Sequence, residues 1–408
     1  MKINSSPKTI FLVVLVVINI LLLASLTDRF KMEKKNSFTE LADLSVDAGF
    51  EEIKIFFKDL AEKEGGRYAF SALKEARLNP NIDLHLLGHE IGYVLYKQEG
   101  IEAITACDND FRNACSHSVV IGIFSDKGES ALKEIGEACK RAPGGIGAYT
   151  MCFHGLGHGI LSYEGYDMQK ASKVCQKTGT PEYGYSELDQ CISGTVMEII
   201  GGGFHDRDIW EKQRIKYLNK DDPLSLCRSD FIPSSSKFLC YDYLTPFLFE
   251  AAGADVGNPN AEDFKKAFKF CDQIPSAESG NRGACFGGFG KEFDGLVQGR
   301  DIRQGSINSI SSEKLKQIYD LCLLAGDREG QRSCLTHAMN SLYWGGENDR
   351  AVSVRFCNEV SDPDFKQSCF SSLTSAVSYY IKDRSYRGEY CSEIPNDYKE
   401  ECKRVLEI

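Results

Sequence analysis

Gly128–Leu161 reads GESALKEIGEACKRAPGGIGAYTMCFHGLGHGIL, and its interpretation decides the fold. The first twelve residues place Leu132, Ile135, Ala138 and Cys139 at helical spacing, so an amphipathic helix ends at Cys139. A Gly- and Pro-rich connection follows. Cys152 then opens a second apolar run, CFHGLGHGIL, in which His154 and His158 are four residues apart. That spacing puts both imidazoles on one helical face. Interleaved glycines cost a helix about 1 kcal/mol each relative to alanine, so Gly155, Gly157 and Gly159 need a local reason. The whole stretch reads as a helix, a loop and a second helix, closed by two cysteines.

The same unit recurs along the chain. All sixteen cysteines of the 408 residues lie at or after Cys107. In chain order they form eight neighbour pairs: Cys107 with Cys115, Cys139 with Cys152, Cys175 with Cys191, Cys227 with Cys240, Cys271 with Cys285, Cys322 with Cys334, Cys357 with Cys369, and Cys391 with Cys402. Residues within a pair are 8 to 16 apart, and first cysteines recur every 32 to 52 residues, the period range of helical-hairpin repeats. Segments such as DMQKASKVC, AEDFKKAFKFC, SSEKLKQIYDLC and NDRAVSVRFC repeat the first helix. CISGTVMEII, CYDYLTPFLF, CFGGFGKEFD, CLTHAMNSLY and CFSSLTSAVS repeat the second, each opened by the second cysteine of its pair.

The expected fold is therefore all-α: a right-handed α-solenoid of about eight to nine hairpins, each stapled by a local disulfide, after an N-terminal transmembrane helix. In shape it resembles the Sel1-like and tetratricopeptide-like solenoids. The resemblance covers residues 67–408 as architecture alone, because the consensus residues of those repeats are not evident and carry no function across.

Residues 1–9 form a short tail, and residues 10–26, IFLVVLVVINILLLASL, are continuously apolar enough to read as an uncleaved signal anchor. Residues 27–66 read as a juxtamembrane linker and capping helix. Residues 67–201 hold histidine-rich hairpins, beginning with a cysteine-free one. Residues 202–222 are an insertion, and 223–408 the remaining stapled hairpins. Lysines and arginines after the span favour a cytoplasmic chain by the positive-inside rule. Paired cysteines favour an oxidising compartment, and sixteen of them outweigh the charge asymmetry. The bulk of the chain is thus expected outside the cytoplasmic membrane, in a periplasmic, extracellular or lumenal space. Net charge is −11 without any basic stripe, which argues against nucleic acid as a partner.

Five of seven histidines fall between residues 85 and 158. His117 and His154 each stand two residues after an opening cysteine, and His158 stands six after. HLLGHEIG of the first hairpin overlays HGLGHGIL, so His85 matches His154 and His89 matches His158. Adjacent second helices lie roughly 10 Å apart. His85, His89, His117, His154 and His158 are therefore expected to share one or two transition ions: zinc, copper, iron or manganese. Glu90, Glu198 and Glu292 follow one step round the helix, with Glu90 and Glu198 as candidate ligands or general bases. His205-Asp206 reads as a surface turn in the insertion, and His337 as an ordinary core histidine. The alternative function is a metal-free, membrane-tethered scaffold whose groove binds a peptide or protein.

Overall fold

The computed structural model describes residues 38–45, 47–180, 182, 186–202, 207–255, 259–345 and 348–408. The expected span 10–26, and His205 with Asp206, lie outside the described residues. Met1–Ser45 and Val46–Ile408 form two compact units. The described part of the first holds one 3-10 turn, Thr39–Asp43.

The second unit is built of helices, and no described residue lies in a strand. Helices α1 (Phe50–Glu64), α2 (Gly66–Glu75) and α3 (Leu84–Glu99) form the cysteine-free start. Then come α4 (Asp110–Lys127), α5 (Leu132–Cys139), α6 (Gly145–Tyr163), α7 (Met168–Cys175) and α8 (Ser186–Gly201). The insertion holds α9 (Arg207–Tyr217). The remainder comprises α10 (Lys237–Tyr243), α11 (Thr245–Ala251), α12 (Ala261–Cys271), α13 (Ser279–Val297), α14 (Ser312–Cys322) and α15 (Arg328–Gly345). It closes with α16 (Arg350–Glu359), α17 (Pro363–Tyr380), α18 (Arg384–Glu393) and α19 (Asn396–Leu406). Among the described residues no helix is long and apolar enough to cross a membrane.

All eight neighbour disulfides are present. Cys107 bonds to Cys115, Cys139 to Cys152, Cys175 to Cys191, and Cys227 to Cys240. Cys271 bonds to Cys285, Cys322 to Cys334, Cys357 to Cys369, and Cys391 to Cys402. Their Cα–Cα distances run from 5.3 to 5.7 Å. Each closes a loop short enough to contribute about 3 kcal/mol by the chain-entropy account.

One detail corrects the sequence expectation. The second cysteine of a pair does not open its helix: α6 begins at Gly145, seven residues before Cys152. Cys191 in α8, Cys240 in α10 and Cys285 in α13 likewise follow the start of their helices; Cys115 is the exception, because Phe111, Arg112 and Asn113 have left-handed φ/ψ and the regular helix of α4 starts only after them. Cys334 in α15, Cys369 in α17 and Cys402 in α19 also lie inside their helices. Gly144 and Gly145 show the physical reason. Their φ values are +112° and +69°, so the turn is completed within that glycine pair and helix resumes at once. The Cys139–Cys152 staple consequently joins the last residue of one helix to the interior of the next.

Helix starts follow their side chains. Asp83 accepts from Leu86 N at 2.9 Å, Asp167 accepts from Gln169 N and Lys170 N, and Asn260 with Asp263 forms a capping box. The long second helices pack in chain order: α3 on α4, α4 on α6, α6 on α8, α8 on α10, α10 on α13, α13 on α15, α15 on α17, and α17 on α19.

Contacts also run far beyond neighbouring hairpins. Asn81 N donates to Gly299 O at 2.6 Å, Arg303 Nη1 to Ala76 O at 2.6 Å, and Gln304 N to Asp110 Oδ1 at 2.9 Å. Trp344 of α15 packs against Gly147 of α6, and α17 also touches α6. A plain solenoid has only nearest-neighbour contacts. Here α13 and the segment after it return to the first hairpins, so early and late second helices share an interior.

Candidate metal centre

The glycines explain the packing of the histidine helices. A Cβ on Gly155 would lie 2.5 Å from His117 Cα, and one on Gly157 would collide with Cys191 O. On the facing side, a Cβ on Gly194 would collide with His154 O. Bare backbone at these positions lets α4, α6 and α8 approach closely, and this offsets the lost helix propensity. It also brings the histidines of neighbouring helices into one space.

His85, His89, His117, His154 and His158 do come together. Ring centroids are 4.6 Å apart for His85–His89, 5.5 Å for His85–His117, 5.6 Å for His89–His117, 5.4 Å for His117–His154 and 5.0 Å for His154–His158. His117 and His154 are 1 % exposed. His85 keeps a half-buried edge. One nitrogen each from His85, His89 and His117 converge within 4.8 Å, close enough to hold one ion.

Hydrogen bonds orient four of the five rings. His85 Nδ1 donates to Phe111 O at 2.7 Å. Ser118 gives its proton to His89 O at 2.8 Å, so its oxygen accepts from His89 Nδ1 at 2.9 Å. Ser193 likewise gives its proton to Gln190 O and accepts from His154 Nδ1, both at 2.7 Å. Glu198 Oε2 accepts from His158 Nδ1 at 2.9 Å. Every such bond places the proton on Nδ1 and leaves the Nε2 lone pair as the available donor atom, the arrangement found behind metal-bound imidazoles.

His117 differs. Neither of its nitrogens has a hydrogen-bond partner among the described residues, and the same is true of His158 Nε2. An unsatisfied buried polar group costs about 1–3 kcal/mol. The His85 and His89 Nε2 atoms lie 3.1 Å apart. Two nitrogens 2.1 Å from one ion are separated by about 3.4 Å in a tetrahedral shell and about 3.0 Å in an octahedral one. The residues therefore fit a transition ion.

Burial favours the neutral form of His85, His117 and His154. It pushes the His85 pKa down to about 4, with the His158 and Arg112 charges acting in the same direction. It also depresses His117 and His154 well below the ordinary 6.5, aided by neighbouring histidines and, for His154, by Lys291. Neutral imidazole is the form that binds metal.

The carboxylates take other places. Glu198 is 5 % exposed, and its second oxygen accepts from Tyr166 at 3.2 Å, so it orients His158 from behind. The insertion secures this helix: Trp210 Nε1 donates to Glu198 O at 3.0 Å, and Arg214 Nε to Ile200 O at 3.0 Å. Glu90 has Lys54, Lys58 and Glu51 of α1 as its charged neighbours and does not join the converging nitrogens. Glu292 is half-buried.

His337 is not a core residue as the sequence suggested. It is half-buried, and its Nδ1 pairs with Asp242 Oδ1 at 2.8 Å. Asp242 also accepts from Lys291 at 3.0 Å, and Lys291 lies 3.3 Å from the Tyr243 ring centroid. Tyr243 in turn packs on His154 at 4.8 Å. Burial opposes the Asp242 charge, but Lys291 and His337 outweigh it and hold its pKa well below the usual carboxylate range.

The chain matches no known protein family. No curated protein and no solved structure matches it either.

Ser193, Met197, Asp242 and Lys291 were not singled out from the sequence, although the signal was there. Ser193 and Asp242 stand two residues after Cys191 and Cys240, while Met197 and Lys291 stand six after Cys191 and Cys285. These are the offsets of His117, His154 and His158. The inward register extends past the first hairpins, and a search confined to histidine sees only its first half.

Proposed function

We propose that this protein is an extracytoplasmic metal-binding protein that holds a transition ion through Nε2 of His85, Nε2 of His89 and one nitrogen of His117. The observation that carries this reading is His117, a fully buried imidazole with two unpartnered nitrogens that converges with two oriented histidines. A structural role alone would favour an apolar side chain there. Bound metal would act as a Lewis acid beside the half-buried edge of His85, with His85 and His89 fixed by Phe111 and Ser118. Zinc, copper, iron and manganese all accept imidazole.

The eight disulfides support an oxidising compartment, and residues 10–26 would tether the chain there. A reporter fused after Ile408 should be active only outside the cytoplasmic membrane.

The direct test is elemental analysis of chain purified without chelators and with its disulfides intact. Near-stoichiometric metal is expected, lost on substitution of His85 and His89 together by alanine and retained in His337→Ala. Metal-free protein that gains no thermal stability from added zinc would leave the scaffold reading in its place. That reading has its own support in a groove of about 470 Å³ lined by Thr336, Asn340, Trp344, Ser375 and Tyr380.

A further inference from the structure

His154 and Met197 meet in an arrangement that the converging triad does not use. His154 Nε2 lies 3.4 Å from Met197 Sδ. The Nδ1 proton of His154 is committed to Ser193, whose own proton goes to Gln190 O. Nε2 is therefore a lone pair, and a thioether sulfur is also an acceptor. Two acceptors facing each other gain nothing unless a cation lies between them. A nitrogen at about 2.0 Å and a sulfur at about 2.3 Å from one tetrahedral ion would be about 3.5 Å apart.

One further donor atom and one further ring border this pair. His158 Nε2 is buried without a partner, and its ring is 5.0 Å from that of His154. His117 contributes one nitrogen to the triad, and its other, proton-bearing nitrogen is also unpartnered, with the His154 and His158 rings 5.4 and 5.8 Å away. Lys291 is the cationic side chain that acts on His154, and Asp242 matches its charge at 3.0 Å.

We propose that His154, His158 and Met197 form a second ion subsite, selective for a soft cation of the copper(I) class, beside the His85/His89/His117 subsite. Thioether sulfur selects soft monovalent ions, whereas the all-imidazole subsite suits zinc and other borderline ions. Met197 is half-buried, which leaves the soft subsite an edge open for entry. The inference rests on the metal-binding reading of the preceding subsection and divides the five histidines between two ions of different character.

The test uses the full chain with its disulfides oxidised. Silver(I) serves as the probe for copper(I), because it needs no reductant that would open the eight staples. Protein stripped with chelator is loaded with zinc, dialysed, and titrated with silver(I), with both metals counted per chain. One zinc and one silver are expected. Met197→Leu, a nearly volume-conserving change, should weaken silver binding at least tenfold and leave zinc at one per chain. His85→Ala with His89→Ala should do the reverse. Zinc at one per chain with no silver bound, or silver binding unmoved by Met197→Leu and His154→Ala, would overturn the second subsite while sparing the first. Failure to bind either ion would overturn both. Far-ultraviolet circular dichroism of each variant establishes that the helices are intact.

Discussion

His158 Nδ1 lies 2.9 Å from Glu198 Oε2, with both side chains 6 % exposed. This contact assigns Glu198 its role. A carboxylate behind an imidazole fixes the ring, holds the proton on Nδ1 and makes Nε2 the better donor atom. In the proposed second subsite Glu198 would act on a bound ion through His158. The predicted consequence is that Glu198→Gln preserves the fold and weakens metal binding about 10- to 100-fold, the range typical for loss of such a partner. Competition against a chromophoric chelator measures it. An unchanged affinity would mean that His158 is not a ligand.

His117→Leu separates function from stability. The substitution removes two unpartnered buried nitrogens. Metal-free His117→Leu should be as stable as metal-free wild type or more stable by about 1–3 kcal/mol, while losing the stabilisation that zinc gives the wild type. Denaturant titration with and without zinc reads both quantities. Marked destabilisation of the metal-free variant would mark His117 as a packing residue.

Acid should destabilise the metal-free protein over a defined window. His85, His117 and His154 have folded pKa values below the ordinary 6.5, because burial opposes their charge. Below pH 6.5 the unfolded chain takes up protons that the folded chain does not, so stability falls as pH falls. Each such histidine contributes a slope approaching about 1.4 kcal/mol per pH unit. For His85 the slope ends near pH 4, where the folded ring protonates too. Metal release should follow the same direction, since protons compete for the same lone pairs. Thermal melts of metal-free wild type and of the His85→Ala, His154→Ala double variant between about pH 4 and 7 test this. The double variant should show the shallower dependence.

Gly157→Ala addresses the close helix packing. Its Cβ would collide with Cys191 O, a backbone atom fixed by the Cys175–Cys191 disulfide. Helix propensity alone predicts that alanine stabilises by about 1 kcal/mol. The collision predicts a net loss of about 1–3 kcal/mol or more, together with weaker metal binding as α6 moves from α8. Gly136→Ala is the control, since a Cβ there meets only Phe153 at 4.0 Å. Stability measurements on the two variants should differ in sign.

Cysteine spacing alone determined much of this protein. Pairs 8 to 16 residues apart, flanked by amphipathic runs, leave little but stapled helical hairpins, because short-range disulfides and helical periodicity are both local properties. Where each helix begins was less legible: Cys152, Cys191 and Cys285 looked like helix openings, yet the loops before them had already turned back into helix. The same local register brought the five histidines into view, since offsets from the second cysteine carry over from hairpin to hairpin. Tertiary structure decided everything that depends on which helices face one another. Ser118 and Ser193 were invisible as ring-orienting groups until α3 met α4 and α6 met α8. Glu198 was expected as a ligand or base, and its hydrogen bonds with His158 and Tyr166 appear only once the helices meet. The return of Arg303 and Gln304 to the first hairpins joins residues 227 and 194 positions apart, and no periodic pattern encodes such a contact. Which nitrogen of each histidine is left for an ion is likewise a tertiary fact, set by hydrogen bonds across helices.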